Sequence, residues 1–174
     1  MTSVYNPMKN IKISPAKNPK LFVAVNGKFA DKSNIIVDTS GTYDTWDYNS
    51  DGTISSTYNP NFIIAATGNS KVSDIILANK NSLSGLYATW KWDSTNKSFN
   101  LVTGGTYNLM VIDKALKPNM NLIVDIAGTY DQWIITPVPS NIVPAVASGA
   151  GALSLSSSSS ISSSSSSCCC LFLM

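Results

Sequence analysis

Gly41-Thr42-Tyr43-Asp44-Thr45-Trp46, Gly85-Leu86-Tyr87-Ala88-Thr89-Trp90 and Gly128-Thr129-Tyr130-Asp131-Gln132-Trp133 are three versions of one phrase, Gly-x-Tyr-x-x-Trp. Their tryptophans stand 44 and 43 residues apart. Self-similarity at a fixed period of this length marks an internal repeat, and it is read before any single element. The match continues upstream. Asn34-Ile35-Ile36-Val37-Asp38 parallels Asp74-Ile75-Ile76-Leu77-Ala78 and Asn121-Leu122-Ile123-Val124-Asp125. Further back, Leu21-Phe22-Val23-Ala24-Val25 lines up with Phe62-Ile63-Ile64-Ala65-Ala66 and with Leu109-Met110-Val111-Ile112-Asp113. The first two of these runs follow the same pair, Asn18-Pro19 and Asn59-Pro60.

Each unit reads as short strands. The apolar runs are rich in Ile, Val and Phe and are bounded by Asn, Gly, Asp and Ser, the pattern of strands between turns. Ser50-Asp51-Gly52-Thr53 is a turn signal after Trp46-Asp47-Tyr48, and Asp93-Ser94-Thr95-Asn96 holds the same place after Trp90. No stretch keeps a helical period. Three units of about 43 residues with about four strands each predict twelve strands. A propeller blade has a similar length, but propellers use four or more blades. Three units suit a barrel closed by equivalent hairpins, which leaves no free edge. The expected fold is all-β, a β-trefoil of three repeats.

The chain has 174 residues and a formal charge of +2. Every positive side chain is Lys and every negative one is Asp; Arg, Glu and His are absent. The lysines are scattered from Lys9 to Lys117 and form no basic stripe, which argues against nucleic acid as a partner. Without His, a Ser-His-Asp or Cys-His mechanism has no base. No metal-ligand cluster is visible, and no cofactor is expected. The folded region lacks Cys and so does not depend on disulfides. The first ten residues are polar and do not read as a signal peptide. No run of about 20 apolar residues predicts a membrane span. The expected setting is intracellular by default, unless the C-terminal tail ties the chain to a membrane or particle.

That tail begins near Pro137, and Pro137, Pro139 and Pro144 interrupt any strand there. Ser154 to Ser167 is almost pure Ser, and such a stretch buries too little apolar surface to offset its ordering entropy. Residues 1–138 are read as the folded domain and 139–174 as a disordered, low-complexity tail. The end, Cys168-Cys169-Cys170-Leu171-Phe172-Leu173-Met174, has three readings: acylation of Cys168, Cys169 and Cys170 as a membrane anchor, intermolecular disulfides, or an end without a role.

A unit of this length ending in x-x-Trp, with Asp51-Gly52-Thr53-Ile54 behind the first, resembles the ricin B-type β-trefoil lectin domain, whose repeats end in Gln-x-Trp. The resemblance covers about residues 10–138. It implies a shallow sugar pocket on each lobe, built from an early Asp, an aromatic platform and an Asn-Gln pair before the Trp. Here the early position falls on Ala24, Ala65 and Ile112, and the platform on Asp38, Ala78 and Asp125. The Asn-Gln pair becomes Tyr43-Asp44, Tyr87-Ala88 and Tyr130-Asp131. The sequence departs from the family pattern in every lobe.

A different pocket remains open to lobes one and three. Asp38, Tyr43 and Asp44 match Asp125, Tyr130 and Asp131. Carboxylates accept hydrogen bonds from vicinal hydroxyls, and a ring packs on the apolar face of a sugar. Lobe two has Ala78 and Ala88 instead and is expected to be inactive. The plain alternative is turn chemistry, with Gly making the turn, Tyr packing on the barrel and Asp bonding its own backbone. The tryptophans are read as core anchors rather than ligand platforms, and Trp92 as a half-exposed strand residue. The expected function is a lectin-like, carbohydrate-binding module without catalysis, with a glycan or glycoprotein as partner. The alternative is a structural or protein-interaction trefoil that has lost sugar binding. A membrane enters only through acylation of the tail.

Overall fold

The structure is a computed structural model and describes residues 5–39, 41–102, 106–112, 116–126 and 128–139. The serine tail and Cys168, Cys169 and Cys170 lie outside the described residues. Twelve strands follow in order: β1 (Met8–Pro15), β2 (Phe22–Val25), β3 (Ile35–Asp38), β4 (Trp46–Tyr48), β5 (Ile54–Ser56), β6 (Phe62–Ala66), β7 (Ser73–Asn79), β8 (Trp90–Asp93), β9 (Ser98–Leu101), β10 (Tyr107–Val111), β11 (Met120–Ile126) and β12 (Trp133–Pro137). The one helical element among the described residues is a 3-10 turn, Lys80–Ser82. No helix among them is long and apolar enough to cross a membrane.

The first and fourth strands of each unit make a barrel wall. β12 pairs with β1, β4 with β5, and β8 with β9, all antiparallel. β1 pairs with β4 across a bulge between Met8 and Ile11. Elsewhere the wall is joined by single bonds: Trp90 N–H donates to Gly52 O and Trp133 N–H to Lys97 O, both at 2.8 Å. Asn10, Gly52 and Lys97 all have positive φ, at 49°, 82° and 54°, so the chain bends at one place in each unit. Tyr48 ties the first seam further. Its Oη donates to Trp90 O at 3.0 Å and accepts Trp92 N–H at 3.2 Å. Burial pushes the Tyr48 phenol above its ordinary value.

The second and third strands form three hairpins, β2–β3, β6–β7 and β10–β11. They close on each other in a cycle. Lys32 N–H donates to Leu77 O, Val72 N–H to Val124 O and Asn119 N–H to Val37 O, each at 2.8 Å. The three donors share a left-handed backbone, with φ of 66°, 64° and 65°. Val37, Leu77 and Val124 are themselves buried.

The core repeats the same threefold logic. Trp46, Trp90 and Trp133 are fully buried. Each indole N–H donates to a carbonyl of its own unit's second strand: Val23 O at 2.9 Å, Ile64 O at 3.0 Å and Leu109 O at 3.0 Å. A buried indole N–H without an acceptor would carry a desolvation penalty, so these bonds set where the second strand passes. They also correct one detail of the repeat. Val23, Ile64 and Leu109 pair with Val37, Leu77 and Val124, so the third run is shifted by two residues from the sequence alignment. Met110, not Ile112, is the counterpart of Ala24 and Ala65.

Candidate functional site

In lobe one, Asp38 ends β3 and Tyr43 sits in the turn before β4. The turn is pinned by Val25 N–H donating to Tyr43 O at 3.4 Å; Ala66 to Tyr87 and Val111 to Tyr130 repeat the bond at 2.8 and 3.2 Å. Gly41 lets the turn approach β2 closely, because a Cβ there would stand 2.7 Å from the Cβ of Ala24. Between turn and hairpin lies a polar recess of about 180 Å³, lined among others by Asp38, Tyr43, Thr42, Asn26 and Asn119. Asp38 Oδ1 accepts the Thr39 N–H at 2.6 Å, and Oδ2 has no partner among the described residues. The Tyr43 ring is braced from behind by Phe29 and Tyr58, with centroids at 4.9 and 4.8 Å. Tyr58 itself is 67% exposed.

Asp44 does not join this recess. It is buried, and its Oδ2 meets Lys12 Nζ at 2.7 Å. That ammonium also stands 4.5 Å from the centre of the Phe22 ring. Asp38 and Tyr43 are thus brought together, and Asp44 is turned to the barrel side.

Lobe three is arranged differently. Asp125 Oδ1 accepts the Ile126 N–H at 2.7 Å and lies 3.8 Å from Lys71 Nζ. Lys17 Nζ stands 5.5 Å from the centre of the Tyr130 ring. Asp131 is buried, accepting Asn108 Nδ2 at 3.0 Å and Gly128 N–H at 3.1 Å. It lines a separate cavity of about 520 Å³ with Asp93, Asn96, Ser98, Asn100 and Asn108. The Asp93 carboxyl is held below the usual range, first by the Asn96 backbone N–H, then by its side-chain amide. Lobe two offers neither carboxylate, with Ala78 and Ala88 in those places.

Three features escape sequence reading. Asn26 reaches the lobe one recess from the hairpin, where Asn26-Gly27 reads only as a turn. Asn119 reaches it from the third unit, and nothing local marks it. An apolar recess of about 520 Å³ lies on the wall beside Met8, Ile11, Trp92, Ile135 and Pro137, with Lys9 and Lys97 at its edge. Trp92 is half-buried there and packs on Phe99, centroids 4.7 Å apart. Among the described residues, no group of three or more metal-ligating side chains forms.

No protein-family model and no curated protein matches the sequence. Solved structures do. A non-toxic homologue of type II ribosome-inactivating proteins from bitter gourd, in complex with methyl α-D-galactoside, matches at a TM-score of 0.60 and 20% identity, over 76% of this chain and 48% of that one. The agglutinin of Abrus precatorius matches at 0.61 and 15% identity, over 78% of this chain and 50% of that one. The C-half of an earthworm R-type lectin, in complex with GalNAc, matches at 0.56 and 15% identity, over 74% of this chain and 98% of that one. The chain spans about half the length of the two plant chains and nearly all of the earthworm half. At these identities the likeness is one of fold. Three Tyr-x-x-Trp units, a barrel capped by three hairpins and these neighbours make the fold of this chain a β-trefoil, similar to that of ricin B-type lectins.

Proposed function

We propose that the chain is a carbohydrate-binding module without catalytic activity, and that the lobe one recess is its principal sugar site. The observation that carries this is the meeting of Asp38 and Tyr43 on one concave polar surface. Asp38 offers a carboxylate oxygen, Oδ2, without a partner among the described residues, a good acceptor for a pair of hydroxyls. Tyr43 offers a braced ring, so little side-chain entropy is lost on contact. Asp125 and Tyr130 are the lobe three counterparts, already engaged by Lys71 and Lys17, and are proposed as the weaker surface. Asp44 and Asp131 take no direct part in these two surfaces. No catalytic role is proposed, since His and Glu are absent and proton transfer near neutral pH depends largely on such groups. The sugar ligands of the bitter gourd and earthworm proteins support the ligand class.

The test is a glycan array followed by titration of the best hit. Asp38→Ala and Tyr43→Ala are each expected to weaken binding about tenfold or more, the effect of one good polar or stacking contact. Asp125→Ala should have a smaller effect. Silence on a broad array, with a protein recovered by pull-down, would favour a trefoil that binds protein instead.

A further inference from the structure

Asp44 and Asp131 hold the same place in their repeats, two residues before the tryptophan. They are buried alike, at 7% and 8% exposure. Their surroundings differ. Asp44 is met by the ammonium of Lys12. Among the described residues, Asp131 is met by the neutral donors of Asn108 and Gly128, and no lysine ammonium lies within 4.0 Å of it.

Strand register identifies what replaced the lysine. Pro15 pairs with Trp133, Ser56 with Trp46 and Leu101 with Trp90. Three positions earlier on those strands stand Lys12, Thr53 and Ser98. Unit one therefore carries Lys12 with Asp44, and unit two carries Thr53 with Ala88 and neither charge. Unit three keeps the carboxylate and puts Ser98 where the cation was. The cavity of about 520 Å³ opens where that longer side chain is missing, with Ser98 and Asp131 in its lining.

We propose that this cavity binds a primary ammonium group carried on a polyhydroxylated ligand, an unacetylated amino sugar, whose ammonium takes the place of Lys12 Nζ. A buried carboxylate without a counter-charge is costly, and an incoming ammonium forms a short charge-assisted bond with it. Asp93 adds a second negative charge to the lining. Asn100 Nδ2 donates to Ser98 Oγ and to Asn108 Oδ1, which leaves Asn100 Oδ1 as an acceptor for a ligand hydroxyl. The volume suits a small ligand. The site shares no lining residue with the lobe one recess, so the two stand or fall separately.

The experiment is an NMR titration of the full chain with D-glucosamine, N-acetyl-D-glucosamine and butylamine, at a pH where the amines are protonated. Glucosamine should shift the Ser98, Asn100 and Asp131 amides and bind at least about tenfold more tightly than the other two. Asp131→Asn should abolish the response, and Asp38→Ala should leave it intact. Ser98→Lys, which rebuilds the lobe one pair in lobe three, should fold and no longer respond; it keeps the test decisive if Asp131→Asn does not fold. Equal binding of N-acetylglucosamine or butylamine, an unchanged response in either variant, or no saturable response to glucosamine would overturn the proposal.

Discussion

Trp90 illustrates how much one side chain decides in this molecule. Its indole fills the core and its N–H holds the Ile64 carbonyl of β6 at 3.0 Å. Trp90→Ala removes the ring, at a cost of about 3–5 kcal/mol, and strands a buried carbonyl at about 1–3 kcal/mol more. That sum is comparable with the whole stability of a small domain, so calorimetry should find no cooperative transition. Trp90→Phe keeps most of the volume and loses only the donor; it should fold, with stability lower by about 2 kcal/mol. A Phe variant as stable as the parent would mean that the indole bond contributes nothing. The core role of the tryptophans was legible in the sequence, because strict spacing among apolar strands puts the same large ring at the same point of every unit. The aspartates were less legible. Asp44 and Asp131 look identical in their phrases, and what separates them, Lys12 or Ser98, is more than thirty residues away.

Among the elements, the hairpin tips carry the most instructive backbone. Lys32, Val72 and Asn119 adopt φ near 65° so that their N–H groups can bridge to the next unit. Asn tolerates this region, whereas a β-branched side chain is strained in it. Val72 is 52% exposed, so little packing is lost on replacing it. Val72→Asn, which copies unit three, should stabilise the fold by about 1 kcal/mol. The melting temperature would rise by about 4 °C, and an unchanged or lower value would argue against strain at this tip. The twelve strands were predictable from alternation and turn residues. The register of β10 was not. Side chains alternate with a period of two, so a slip of two residues keeps every face where it was. Only the pairing of Leu109 with Val124 and the Trp133 indole bond to Leu109 O settle the place.

For the molecule as a whole, composition divides the chain near residue 138, and we propose that residues 1–138 fold and bind without the remainder. A chain ending at Val138 should melt within about 2 °C of the full chain and keep the lobe one affinity, since a serine-rich segment has little apolar surface to add. A large drop in either would place part of the fold beyond that point. The class, the count of units and the core were already legible in the order of the residues. Repetition and apolar alternation are local properties, and three units that each need partners can bury their edges by closing on one another. The candidate sites depend on how the chain closes in space. Asn119 comes to Asp38 from another unit, Tyr43 faces a recess while its neighbour Asp44 turns to Lys12, and Asp131 meets a cavity where a lysine would stand. Closure of the barrel places residues side by side that lie far apart in the chain. The Gly-x-Tyr-x-x-Trp phrase thus marks where each lobe's turn lies, and residues from outside the phrase determine what surrounds it.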